Sequence, residues 1–222
     1  MNILIVLAHP ERQSFNGAMC DAAAEALRGA GHSVVVSDLY RMGFDPRSDR
    51  RNFRTVKDPE YLKLQVEESW ASEQNGFAPD LEAEIAKIEA CDLMIFQFPL
   101  WWFGMPALLK GWVDRVFAMG RVYGHGQVYA DGRFRGKRAM LSVTTGGPSE
   151  AYAPGGFNGA IGGILRPIQR GMLQFVGFQV LAPHVLYGPA RVEPAVRAQW
   201  LADWQRRLRD IAREAPVEVG TY

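Results

Sequence analysis

The chain is predicted to be an α/β protein, a doubly wound five-stranded parallel sheet with strand order 2-1-3-4-5. Short continuous apolar runs, NILIVLA at 2–8 and DLMIFQF at 92–98, have the length and composition of strands buried on both faces. They alternate with stretches whose apolar residues recur at helical spacing, which implies right-handed crossovers between parallel strands. The stretch 92–117 organises the rest. Its buried run breaks at Pro99 into Leu100-Trp101-Trp102-Phe103-Gly104 and resumes at helical spacing from Pro106. Three aromatics just past a central strand's carboxyl end lie where open α/β sheets bind ligands, and their flat apolar surface suits a planar cofactor.

Bulk properties narrow the partner. At 222 residues the chain suits one domain, 1–222, with a sizeable core. Its 25 basic and 24 acidic residues leave a net charge of +1 without long runs, which argues against nucleic acid or an anionic membrane surface and for a small molecule. Cys20 and Cys91 fall within predicted elements at no metal or redox spacing, and read as small buried hydrophobes in a reducing compartment. MNILIVLAHPE has no basic leader, and no apolar run reaches the roughly 18 to 20 residues of a membrane span. A cytoplasmic protein is expected.

The first strand, 2–8, leads into the loop His9-Pro10-Glu11-Arg12-Gln13-Ser14. Phe15, Met19, Ala22 and Ala26 then mark a helix, with Ser14 or its neighbour as N-cap and Gly29 and Gly31 at its end. Strand, polar loop, helix start is the arrangement that receives phosphate on backbone N–H groups. Neither G-x-G-x-x-G nor G-x-x-x-x-G-K-[ST] is present. Strand two covers 32–39, and a polar excursion over 41–79 holds a short helix around 61–70. Residues 81–89 form an amphipathic helix leading into the strand at 92–98. Strand four is 138–145, ending in Gly146-Gly147-Pro148, a turn expected to need unusual backbone angles. A glycine-rich loop with Tyr152 and Asn158 precedes a helix over 161–175. Strand five covers 178–186, and Val196, Trp200, Trp204, Leu208 and Ile211 define the last helix.

The motifs HPERQSFN, FQFPLWWFGMPALLKGWVDRVF, TTGGP with the following Tyr152, and GFQVLAP together resemble the NAD(P)H:quinone reductase family, which includes DT-diaphorase. The likeness runs from Ile3 to Pro216. It implies a flavodoxin-like fold, FAD rather than FMN, and a homodimer whose active sites lie at the subunit interface. By motif, His9, Ser14, Phe15, Asn16 and Ala18 match positions that hold the FAD pyrophosphate and ribose. Pro99, Leu100, Trp101, Trp102 and Phe103 match the isoalloxazine lining, as do Thr144, Thr145, Gly146 and Gly147. Tyr152 would sit near the flavin's pyrimidine edge; Asp114 and Arg197 match further FAD contacts, and Lys63 aligns loosely with a residue reaching the partner's adenine. Tyr123, His125 and Phe175 of the other subunit would close a substrate pocket that Trp102, Phe103 and Asn158 also line.

The resemblance implies ping-pong catalysis, with a reduced nicotinamide and then a quinone occupying one place. Tyr152, Asn158 and the Gly146-Gly147 backbone would stabilise negative charge on the reduced ring. DT-diaphorase has His where this chain has Asn158, whose amide can donate a hydrogen bond but cannot relay a proton at neutral pH. The chain's end near Tyr222 implies no adenine-holding extension, which leaves the dihydronicotinamide donor open. Arg170 and Gln174 stand where a second mammalian member of the family, a paralogue of DT-diaphorase, has metal-binding histidines, so the resemblance implies no metal. An azo- or nitro-compound reductase and a regulatory flavoprotein subunit of a potassium-efflux system are the rival readings. His32 and His184 read as surface or structural residues, and Trp200 and Trp204 as core or dimer interface.

Overall fold

A computed structural model describes residues 1–220; the chain end at Tyr222, on which the short-tail expectation rests, lies outside them. β1 (Asn2–Leu7), β2 (Ser33–Asp38), β3 (Leu93–Pro99) and β4 (Arg138–Thr145) form a parallel sheet in the order β2-β1-β3-β4. The fifth position is shared by β5 (Gln179–Val180) and β6 (His184–Tyr187), both parallel to β4. One strand over 178–186 is therefore corrected to two segments. Pro183 lies between them and has no N–H to give the ladder.

Side-chain alternation along β1 builds the two cores. Leu4 and Val6 point to one face, against Leu109, Trp112, Leu165 and the other side chains of α3 (Pro79–Ala90), α4 (Ala107–Val116) and α5 (Ile161–Ile168). Ile3, Ile5 and Leu7 point to the other, against α1 (Phe15–Gly29) and α6 (Pro194–Arg209), where Trp204 is fully buried. Each such apolar side chain contributes about 1.5–3 kcal/mol, which is why these runs tolerate little polarity. The central strand β3 is buried along its whole length.

The excursion after β2 holds α2 (Leu64–Gln74), displaced from the expected 61–70 and ended by Asn75 in the left-handed region, φ 52°, before Gly76. Arg115 ties this excursion to α4. Its guanidinium is 3% exposed and donates to Asn52 at 2.8 Å, to the Asp45 carbonyl at 2.7 Å and to Asp80 at 3.2 Å. Gly111 permits the contact, since a Cβ there would come within 2.3 Å of Pro46. The helix expected over 161–175 is α-helical only through Ile168 and continues as a π-helical turn over Gln169–Gln174, just beyond Pro167. A missing N–H inside a helix is a recognised cause of such a change in hydrogen-bond register.

Candidate active site

The carboxyl ends of β1, β3 and β4 open into a cleft of about 710 Å³, lined by His9, Ser14, Phe15, Asn16, Pro99, Leu100, Trp101, Thr144, Thr145, Gly146, Pro189, Ala190 and Arg197. Ten of these thirteen come from three segments that the sequence marks as one site.

The β1–α1 segment is pinned from several directions. Ser14 is the N-cap of α1, and its Oγ accepts the Gly17 N–H at 3.1 Å. The N–H groups of Phe15 and Asn16, in the first turn, have no carbonyl partner within the helix. Gly17 is required by close approach: a Cβ there would fall 2.0 Å from the Arg12 carbonyl oxygen, so the loop folds directly onto the helix start. His9 is held by its own loop, with Nδ1 within 3.0 Å of the Glu11 N–H and 2.9 Å of the Glu11 carbonyl. That leaves Nε2 as the ring's available polar atom.

Asn16 is buried and turned inward. It accepts from Gln97 Nε2 at 2.8 Å and donates to Thr144 Oγ1 at 2.9 Å, a polar chain that joins α1, β3 and β4 under the cleft floor. Gln97 escapes a motif reading because it sits within an apolar run. Its polarity inside a fully buried strand is the signal that could have revealed it.

Gly146 and Gly147 do not take positive φ, which corrects the expectation of unusual angles at this turn. Gly146 matters for its missing side chain, since a Cβ there would enter open space at the cleft. Thr145 Oγ1 donates to the Gly147 carbonyl at 2.8 Å. Against Gly147 lies the buried ring of Tyr152, with Tyr187 beside it at 5.8 Å between ring centroids. Burial first, and then the neighbouring Tyr152, push the Tyr187 phenol above its ordinary range. Asn158 is half-buried and donates its backbone N–H to Ala151 at 2.7 Å.

The aromatic shelf divides. Trp101 lines the cleft, 6.4 Å from the His9 ring, whereas Trp102 and Phe103 project outward and are 98% and 53% exposed. Trp101 and Gly104 exchange two backbone hydrogen bonds at 3.1 and 3.0 Å, closing a two-residue turn with Trp102 at φ 51° and Phe103 at φ 59°. Both values lie where Asn-Gly pairs are normal and bulky aromatics are strained by about 1–3 kcal/mol each. Ala18 is half-buried in the first turn of α1.

Asp114 is not among the residues lining the cleft; it is exposed on α4 and paired with Lys110 at 2.6 Å. Tyr123, Phe175 and Tyr129 form a separate aromatic group, with centroids 5.9 and 5.5 Å from Phe175, and His125 is exposed at φ 54°. Lys63 immediately precedes α2 and borders a different groove, with Lys57 and Trp70. Pro189 and Ala190 also line the cleft, although no motif marks them. Gly188, at φ 62°, turns the chain off β6 toward the cleft, so a Gly-Pro pair after a strand was the available signal. Arg197 holds this short segment, donating to the Pro189 carbonyl at 3.2 Å and to the Val192 carbonyl.

Among the described residues no three His, Cys, Asp or Glu side chains converge as a metal-binding group, and no helix is long and apolar enough to cross a membrane. Burial pushes the Cys20 and Cys91 thiols up to about 12 and about 11, far from reactive thiolates. His184 stacks on Trp204 at 4.3 Å, and burial lowers its pKa to about 4.

A family model of the flavodoxin-like fold matches residues 1–208. NAD(P)H dehydrogenase (quinone) 1 of Cavia porcellus is 47% identical over 215 residues, 96% of this chain and 78% of that protein. Ribosyldihydronicotinamide dehydrogenase (quinone) of Homo sapiens is 42% identical over 221 residues, 99% of this chain and 96% of its own length. Among solved structures, a Klebsiella pneumoniae protein described as a candidate quinone reductase superposes with a TM-score of 0.92 at 41% identity, covering 98% of this chain and 87% of that one. With this cleft on this sheet, and relatives of that identity over nearly its whole length, the chain belongs to the NAD(P)H:quinone reductase family.

Proposed function

We propose that this protein is an FAD-dependent quinone reductase that uses a dihydronicotinamide as electron donor. The family implies a flavin, and one observation carries the reading to this chain. A single cleft joins a helix start, an apolar aromatic wall and a glycine whose Cβ position is open. Its volume falls within the roughly 300–1,000 Å³ typical of small-molecule and cofactor sites.

The residues divide the work by chemistry. The Phe15 and Asn16 N–H groups, the α1 dipole, His9 and the Arg197 guanidinium suit a pyrophosphate. Pro99, Leu100 and Trp101 offer apolar contact to a planar ring, while Thr144, Thr145 and Gly146 bring backbone close to its edge. A flavin bound there would supply transfer of two electrons from donor to acceptor in turn. Tyr152 and Asn158 would donate hydrogen bonds toward developing negative charge, and water would be kept out by apolar cover. Trp102, Phe103 and Phe157, the last 98% exposed, are the surface that a second copy of the chain would cover, bringing its Tyr123, His125 and Phe175 to the same site.

The test is anaerobic stopped-flow reduction of the purified protein by NADH, NADPH and dihydronicotinamide riboside in parallel, followed by mixing with a benzoquinone. Rapid bleaching by at least one donor, recovery on quinone addition and FAD released on denaturation are expected. A colourless protein that neither FAD nor FMN restores would sink the proposal.

A further inference from the structure

Glu68 has no place in the cleft, yet it is 5% exposed on α2 and no ion pair neutralises it among the described residues. Its carboxylate accepts the Met119 N–H at 2.7 Å. One turn along, the Ser72 hydroxyl lies 3.0 Å from the Met119 carbonyl and 2.8 Å from the Glu68 carbonyl, sharing its proton between them. One turn earlier, Gln65 Nε2 donates to the Tyr123 hydroxyl at 3.1 Å. Gly120 lies so close that a Cβ would come within 2.6 Å of the Ser72 Oγ. Residues 65, 68 and 72 share one helix face, so α2 grips the segment after α4 at three successive points.

That segment carries Tyr123 and His125, and the Tyr123 ring meets Phe175 edge-on at 5.9 Å. Tyr123 is the titratable group facing Glu68 from the segment. Burial raises its phenol, the Gln65 hydrogen bond opposes this, and the Glu68 charge adds to the rise. Glu67, next door on α2, is occupied elsewhere by the Lys57 and Asp58 N–H groups and by Arg50 at 3.8 Å. Lys57, Lys63 and Glu73 are the charged groups around the groove that Met119 borders.

We propose that Glu68 is a positioning residue whose protonated form keeps residues 118–129 closed on α2 and whose ionised form favours their release. On the reading that Tyr123 and His125 close the acceptor pocket, acceptor binding is then tight at acid pH and loosens as pH rises. The cause is desolvation: a buried carboxylate with one N–H partner and no counter-charge gains hydration when the segment lifts. Burial raises this carboxyl to about 7, from an ordinary 4.5 that it would regain when open. Between those values the opening equilibrium rises by about tenfold per pH unit, and above them it levels off.

Hydrogen exchange of the full-length flavoprotein, followed by mass spectrometry over pH 5 to 8 and corrected for intrinsic chemistry, reads the opening of residues 118–129 directly. Wild type is expected to open at least about tenfold more at the alkaline end. Glu68→Gln, which keeps an acceptor for Met119 but cannot ionise, should be flat. KM for menadione should follow the same two profiles. Ser72→Ala, which retains the carboxyl, should open more at every pH while keeping the step; it serves if Glu68→Gln folds poorly. A wild type without the pH step, or a Gln variant that retains it, overturns the proposal. A step in exchange with a flat KM overturns the positioning role. Absence of any menadione turnover in wild type counts instead against the quinone reading, and exchange still decides the Glu68 gate.

Discussion

The two rims of the cleft are built on opposite principles. The β1–α1 rim is closed upon itself: Ser14 caps the helix, the loop folds onto Gly17, and Asn16 is consumed by Gln97 and Thr144. The rim formed by Trp101-Trp102-Phe103-Gly104 is held by two backbone hydrogen bonds, with two aromatics at positive φ and most of their surface in solvent. The first arrangement is complete within one chain. The second leaves strained, exposed apolar surface, which on the proposed reading a second copy of the chain would cover.

The comparison can be broken first at Gly17. Gly17→Ala forces a methyl group against the Arg12 backbone and should cost about 3 kcal/mol, the upper part of the range for overpacking. Thermal unfolding would show this as a clear drop in Tm, and an unchanged Tm would mean that the loop is not seated as described. A smaller effect of opposite sign is expected on the other rim. Replacing Trp102 by Asn together with Phe103 by Gly should stabilise the isolated chain by about 2 kcal/mol by relieving the turn, while weakening quinone turnover and the proposed self-association. Denaturant unfolding beside analytical ultracentrifugation separates the two, and a destabilised variant would show that these aromatics hold the fold. The smallest change is Ser14→Ala, which removes the α1 cap and should cost about 1 kcal/mol. It should also weaken flavin retention on dilution, whereas retention equal to wild type would detach the helix start from the proposed pyrophosphate site.

Legibility followed the range of the forces involved. The sequence places β4 to the residue and narrows the α1 cap to Ser14 or its neighbour, of which Ser14 is the cap, because burial on both faces and helix capping act through local sequence. Strand five looks continuous in sequence because its apolar pattern persists through Pro183, although the ladder cannot. In sequence Trp101, Trp102 and Phe103 form one shelf, yet only Trp101 lines the cleft, since a hairpin turn two residues long points its central side chains away. Asp114 and Arg115 adjoin in sequence, but one is solvated beside Lys110 while the other is buried as the anchor of the 41–79 excursion.

What the amino-acid order determined by itself was a parallel sheet built from those buried runs, and the three segments that meet at its carboxyl edge. Those features come from hydrophobic periodicity and from turn chemistry, which are written in neighbouring residues. Tertiary structure alone decided that Asn16 faces inward to Gln97, that Pro189 and Ala190 complete the cleft, and that Glu68 grips Met119. Each of these joins residues far apart in the chain. Their hydrogen bonds and burial exist only after the sheet has brought them together, so no local pattern records them.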